Sequence, residues 1–511
     1  LNSGRVGEKV LLKPATVEMM TIPQSPSGKA RIRGLGWDLQ TPFAANEEDL
    51  SPVGAYSHLG YTGTGLWIDP VTGIYLIVLT NRVHAAGGGN VRELREDIRK
   101  QLEEAVGPLS GEYIIQRRPA LSPFVTSDKK VLSGQPGPVE TGIDALEKQK
   151  FAPLQGLRVG LVTNHTGRNA AGIRSIDLLH KASGVRLLAL FTPEHGLDGM
   201  ADAPVPSMKD IRTGLPVYSL YGSNRQPLKE WLEGLDALVF DIQDAGVRFY
   251  TYISTLHYAM ESAAEKGIPF FVLDRPNPIN ADVVQGPLSD GIPRSFTSCF
   301  PLPVRHGMTV GELARMFNAE DRIGADLRVI RMNGYSRSMW YDETGLAWVN
   351  PSPNLRSLQA ATLYPGVAIV EGAHISVGRG TSTPFELLGA PWMRSAQLVT
   401  YLEQRRIPGV QFSAADFTPS SGIFRGRLCS GVRISLTDRK ILDSPYLGVE
   451  LAAALYRLYP ESFKLAATLG MIGSRQVLDD VRAGKDPRAI AASWQDSLEE
   501  FQGLRSAYLL Y

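Results

Sequence analysis

A carboxylate and an imidazole stand side by side in "LLALFTPEHGLDG", where an apolar run gives way to Pro193, Glu194, His195 and Gly196. Proline ends a strand and glycine permits the turn, so Glu194 and His195 are left at its mouth. Three further polar signatures follow short apolar runs in the same manner: "TNHTG" from Thr163, "DIQDAGVRFY" from Asp241 and "DRPNPIN" from Asp274. Cleavage of a glycosidic bond draws on such groups, because one carboxylic acid protonates the leaving oxygen while a second carboxylate acts as base or nucleophile. Glu194 is the acid candidate and His195 an orienting group. Asp241, Asp244 and Glu371 compete for the second role, and their separation from Glu194 would decide between inversion and retention.

Each motif taken singly has a plainer reading as a helix cap, a turn or a structural ion pair. Four of them on one edge outweigh it. Asn164, Arg248, Arg275 and Asn277 lie in the same turns. Each arginine can clamp a carboxylate with two hydrogen bonds, or be tied up by Asp241 or Asp274. Tyr250 and Trp348 offer rings for stacking on a sugar. "VNPSPNLRS" places Asn354 in a loop restricted by prolines, and "SVGRGT" places Ser376 and Arg379 in a glycine-rich turn whose amides can hold an anion. That turn lacks the Lys-Ser/Thr ending of a phosphate loop and the spacing of a dinucleotide fingerprint. His306 precedes a helix expected to start at Thr309, with Glu312 completing a capping box. A metal cage built from His165, His195 and His306 is the chemical rival. No histidine pair has ligand spacing such as H-E-x-x-H, so no metal is assigned.

The elements that must position these groups are legible as alternation. Apolar runs at 158–163, 187–191, 237–240 and 269–273 alternate with helical stretches such as "SIDLLHKAS", "QPLKEWLEGL" and "YISTLHYAMESAAEKG". This pattern predicts an α/β fold, a parallel sheet covered by helices whose strand carboxyl ends share the ligand-binding edge. Four segments read from the chain: 1–107, a linker at 108–141 rich in Pro, Gly and Ser, a catalytic domain at 142–362, and a smaller C-terminal α/β domain at 363–511 that completes the cleft. The first segment holds two strands around a turn from Asp69 to Gly73 and an amphipathic helix, "VRELREDIRKQLEEAV".

The totals exclude several classes. With 53 Lys and Arg against 52 Asp and Glu, the net charge is +1, which supplies no electrostatic reason to bind nucleic acid or an anionic membrane. No stretch approaches the roughly 18 consecutive apolar residues of a membrane span. Cys299 and Cys429 have no paired spacing and read as structural thiols. The opening residues, "LNSGRVGEKV", lack the regions of a signal peptide.

In order along the chain, "TNHTG", "TPEHG", "DIQDAGVRFYTY", "DRPNP", "VRHGMT", "NPSPNLRS" and "EGAHISVGRGT" resemble the NamZ-type exo-β-N-acetylmuramidases of bacteria, from about Val139 to Tyr511. The resemblance implies a Rossmann-like domain joined to a smaller α/β domain. It implies release of N-acetylmuramic acid from the non-reducing end of peptidoglycan fragments without a cofactor, in cell-wall turnover and recycling, with the essential glutamate at Glu194. The lactyl carboxylate of muramic acid suits an arginine, and Arg379 is the first choice. An extracytoplasmic location follows from where that substrate lies. From about Gly54 to Val106 the chain resembles the C-terminal portion of penicillin-binding-protein and class C β-lactamase-type serine hydrolases, an α+β segment with His58-Leu59-Gly60 as the active-site strand. The S-x-x-K and Tyr/Ser-x-Asn motifs of such enzymes are missing before it, so this segment reads as a truncated, inactive remnant. The rivals to hydrolysis of a muramyl glycoside are a non-catalytic muramyl-sugar binding module and a β-lactamase-like hydrolase centred on His58.

Overall fold

The computed structural model describes residues 139–199, 208–289 and 292–511, and in the first part of the chain 5–6, 9–21, 32–33, 37–39, 56–59, 64–69, 74–81, 94 and 98. The chain divides into two compact units, Leu1–Gln135 and Pro136–Tyr511.

In the first unit, strands β1 (Arg5–Val6) and β2 (Lys9–Val10) pair antiparallel, and a helix runs over Pro14–Thr21. Strands β3 (Ile32–Arg33), β4 (Asp38–Leu39), β5 (Tyr56–Leu59), β6 (Gly65–Asp69) and β7 (Ile74–Val78) form one sheet in sequence order, every pair antiparallel. The two strands expected around Asp69 to Gly73 are β6 and β7, though residues 70–73 lie outside the described residues. Trp67, Ile68 and Val78 are buried. Gly65 is required by close approach, since a Cβ there would meet the Trp67 ring at 2.2 Å. The expected helix at 91–106 lies outside the described residues apart from positions 94 and 98, as does 108–138 of the expected linker.

The second unit is built on a seven-stranded sheet. Its strands are β8 (Arg158–Thr163), β9 (Arg186–Thr192), β10 (Met208–Lys209), β11 (Pro216–Ser219), β12 (Ala237–Asp241), β13 (Phe270–Leu273) and, after the antiparallel pair β14 (Gln285–Leu288) and β15 (Pro303–Arg305), β16 (Leu327–Ile330). The order is β10-β11-β9-β8-β12-β13-β16, and all neighbours are parallel except β10 and β11. Strands β8 and β12 are almost wholly buried, which explains why they read as continuous apolar runs rather than alternating ones. From β8 the chain travels outward to β9 and β11, then crosses to β12 and travels the other way. The carboxyl ends of β8 and β12 therefore form the switch point at which open α/β sheets bind ligands.

Helices follow the strands as the alternation requires. The stretch after β8 gives the helix Ser175–Lys181, and that after β12 gives Tyr252–Lys266, closed by Gly267 in the left-handed conformation. "QPLKEWLEGL" is shorter than expected, a 3-10 turn over Lys229–Leu232. The helix Val310–Glu320 starts at Thr309, whose side chain accepts from the Glu312 amide while Glu312 reaches back, the capping box read from sequence.

A smaller sheet of β17 (Leu387–Ala390), β18 (Val410–Phe417) and β19 (Cys429–Leu436) follows, in the order β17-β19-β18 and antiparallel throughout. The helices Leu358–Val367, Ser395–Arg405 and Ser444–Leu458 accompany it. One apolar core runs from Phe240, Leu256 and Phe317 of the large sheet's layer through Leu363 and Val367 to Leu388, Val432 and Leu455. The opposite face of the large sheet has its own core of Ile143, Leu161, Leu179, Val239 and Phe271. Cys299 and Cys429 are both buried and unbridged.

Candidate active site

Strand β9 ends at Thr192 because Pro193 has no amide hydrogen to continue the ladder. His195 at φ 73° and Gly196 at φ 74° then turn the chain. A left-handed histidine is uncommon and costs free energy, a feature concentrated at functional sites. Glu194 is left half-buried with hydroxyl partners. Thr251 Oγ1 donates to Glu194 Oε2 at 2.7 Å, and the Tyr221 hydroxyl also bonds to Glu194. Burial and that contact push the Tyr221 phenol up to about 12. Thr251 is the N-cap position of the 15-residue helix Tyr252–Lys266, so the positive end of the helix dipole faces the carboxylate.

Asp244 lies just beyond β12. Its Oδ2 accepts the Gly246 amide at 2.7 Å and stands 3.5 Å from His306 Nε2. His306 Nδ1 accepts the Met308 amide at 3.2 Å, so a neutral His306 ring carries its proton on Nε2, toward Asp244. Asp244 Oδ1 is buried with no hydrogen-bond partner among the described residues. Across the site, Arg379 of the "SVGRGT" turn forms an ion pair with Glu371, its Nη2 donating to Oε2 at 3.1 Å, and its guanidinium lies 5.3 Å from the Phe385 ring centroid. Gly378 and Gly380, both at φ 80°, make that turn.

Tyr364 ties the two halves together. It is buried, which raises its phenol, and the charges of Arg379, Glu371, Glu194 and Asp244 all act on it. Its ring meets Tyr250 at 6.1 Å and Phe385 at 4.7 Å, and Tyr250 meets Tyr252 at 4.8 Å, each edge-on. Glu194 and Asp244 from the large sheet, and Glu371 and Arg379 from the segment before β17, are thus gathered around one tyrosine.

Several expected site residues are brought to this edge but stand behind it. Asp241 is 0% exposed and held by Arg275 through Nε at 2.6 Å and Nη2 at 2.9 Å, with Ser175 Oγ also donating to it. That buried pair joins the ends of β12 and β13, and neither partner faces a ligand. Arg248 is fully buried and donates to the carbonyls of Pro287, Leu302 and Met471, so it clamps backbone rather than a carboxylate. Tyr250 is buried among other rings and offers no stacking face. Asn277 bridges the Met308 carbonyl and the Ile279 amide, Asn164 accepts from the Thr166 amide and hydroxyl, and Ser376 accepts the Gly378 amide. Asn354 is buried in its loop, and His306 acts through Asp244. Asp274 is buried beneath Thr309 and Tyr511. Among the described residues no set of three or more His, Cys, Asp or Glu converges as metal ligands do. In the first unit, His58 stands exposed on β5.

Sequence reading missed Thr251, Tyr221, Tyr252 and Tyr364. Thr251 and Tyr252 close the quoted "DIQDAGVRFYTY" run, so proximity was a signal. Tyr221 follows β11, four residues too short to register as periodic.

Family models describe the same architecture. The N-terminal part of exo-beta-N-acetylmuramidase NamZ matches residues 159–359 and the C-terminal part matches 362–511. A beta-lactamase model matches residues 1–99. A peptidoglycan beta-N-acetylmuramidase NamZ of Bacillus subtilis (strain 168) is 42% identical over 389 residues, which is 75% of this chain and 94% of that protein. Two DUF1343 family proteins of Bacteroides fragilis, known from crystal structures, superpose with TM-scores of 0.68 and 0.60 at 35% and 31% identity, each over 73% of this chain and 99% of its counterpart.

Proposed function

The chain belongs to the NamZ family of exo-β-N-acetylmuramidases, and from that premise we propose that Glu194 is the proton donor of a glycoside hydrolase acting on peptidoglycan fragments. The enzyme removes N-acetylmuramic acid from the non-reducing end. One observation carries the assignment of Glu194. Among the described carboxylates in the strand-end turns, it alone is half-exposed at the end of a parallel strand with hydroxyls as side-chain partners. Asp241 is ion-paired, Asp274 is buried, and a carboxylate pinned by an arginine cannot readily take and give a proton.

Asp244 is the second carboxyl group in this reading. Among the described residues its Oδ1 has no partner, and the His306 ring stands 3.5 Å from its Oδ2. Thr251 and Tyr221 position Glu194, and His195 completes its turn. Arg379, held by Glu371 beside the cleft, receives the lactyl carboxylate that distinguishes muramic acid from glucosamine. The substrate is a muramyl sugar rather than nucleic acid, and its location makes the protein extracytoplasmic. Among the described residues no helix is long and apolar enough to cross a membrane.

Incubation with a disaccharide of N-acetylmuramic acid linked β-1,4 to N-acetylglucosamine tests the reading. Free N-acetylmuramic acid is expected, and the anomer first formed reports inversion or retention. Binding with no turnover at any pH would show a sugar-binding module instead.

A further inference from the structure

A hollow of about 670 Å³ opens beside the catalytic turn, between the "TNHTG" segment and the proline-rich loop 349–357. Its lining includes His165, Arg168, Trp348, Asn350, Ser352 and Arg356. It adjoins the site already described at two points. Tyr252 donates to the Pro351 carbonyl at 2.8 Å, and Arg356 donates to the carbonyl of Thr381 in the "SVGRGT" turn at 3.2 Å.

The hollow is built rather than incidental. Trp348 is fixed by its Nε1 donating to Asn350 at 3.1 Å and by edge-on contact with Tyr341 at 5.1 Å, which leaves an indole face half-exposed. His165 Nε2 lies 2.6 Å from the Asn350 carbonyl, and burial lowers the pKa of the ring below the ordinary histidine value. Gly199 packs against that ring so closely that a Cβ would lie 1.9 Å from it. Both arginines are oriented by backbone. Arg168 donates to the carbonyls of His165 and Gly172, each at 2.9 Å, and Arg356 to those of Pro353 and Thr381. Among the described residues neither has a carboxylate partner, and each keeps Nη2 without an acceptor. Asp198 acts on His165 but does not line the hollow.

Resting on the reading of the site as an exo-muramidase, we propose that this hollow receives the departing end of the glycan. Trp348 stacks on the N-acetylglucosamine that leaves, and Arg168 and Arg356 bind the lactyl carboxylate of the muramic acid that follows it. An indole face and two oriented guanidiniums without counter-charge fit an alternating neutral and anionic sugar. The protein then prefers longer muramyl glycans over the disaccharide.

The test compares the disaccharide with the trisaccharide that carries a further muramic acid at its reducing end, with that carboxylate free or converted to a methylamide. The wild type is expected to show a KM on the free-acid trisaccharide about tenfold below that on the other two, equivalent to roughly 1.4 kcal/mol. In Arg168→Gln/Arg356→Gln this preference shrinks toward unity. Equal KM for the acid and the amide in the wild type, or an undiminished preference in the double variant, would overturn the subsite while leaving the muramidase reading intact. Failure of the wild type to release muramic acid from any of the three would remove both. The acid and amide arms need no variant to fold.

Discussion

Thr251 Oγ1 donates to Glu194 Oε2 at 2.7 Å, so the carboxylate at the end of β9 is held by the residue that begins the helix after β12. Two crossovers of the sheet are thereby locked at the point where the proton must be delivered. A hydrogen bond to a charged group is worth about 1.5–3 kcal/mol, enough to fix which way a glutamate points.

Thr251→Val and Tyr221→Phe each remove one of these supports and leave the carboxyl group in place. We expect kcat to fall at least tenfold in steady-state assays while KM stays within about twofold. A rise in KM with kcat unchanged would mean that the hydroxyls bind the sugar ground state instead of positioning Glu194.

The buried pair Asp241–Arg275 holds the end of β12 to that of β13, and its expected role is structural. Arg275→Met leaves Asp241 charged and buried, which costs about 3–5 kcal/mol in urea unfolding. The double replacement Asp241→Leu/Arg275→Met recovers much of that loss. A catalytic role for Asp241 would instead show as an unchanged unfolding midpoint with activity lost.

Much of this was legible before the fold was known. The buried parallel strands appear as β8, β9, β12 and β13, and the four polar turns fall on one edge because parallel strands must end together. Sequence could not tell Asp241 from Glu194. Both are acids after apolar runs, and what separates them is a long-range partner: Arg275 lies 34 positions from Asp241 and reached it only when β13 docked beside β12. Arg248 misled for a related reason, since its carbonyl acceptors include Met471, 223 positions away. The antiparallel order of β17, β19 and β18 was likewise hidden, because β17 reaches β18 through the helix Ser395–Arg405 and pairs instead with β19, about 40 positions further along the chain.

Asp274 makes stability depend on pH. Burial first, and the neighbouring Glu312 carboxylate second, push it up to about 7 from an ordinary 3.8. Between those values the folded protein holds a proton that the unfolded chain has lost, so stability declines as pH rises from about 4 to about 7. Asp274→Asn is expected to flatten that slope in thermal unfolding measured across the range. A slope unchanged by the substitution would place its origin elsewhere.

Arg379 is the specificity prediction. Arg379→Ala should lower kcat/KM on muramic acid glycosides at least tenfold and leave the matching N-acetylglucosamine glycosides, which lack the lactyl carboxylate, within about twofold. An equal decline on both would assign Arg379 to holding Glu371 and the turn, not to the substrate.

The most direct measurement is the rate at which Glu194→Gln releases N-acetylmuramic acid from the natural disaccharide, with folding checked by thermal unfolding. General acid help is worth about 10²–10⁴ in rate, so a loss of two to four orders of magnitude is expected, and a smaller one with an activated aryl leaving group. A folded Glu194→Gln protein that cuts the disaccharide at the wild-type rate would contradict the account.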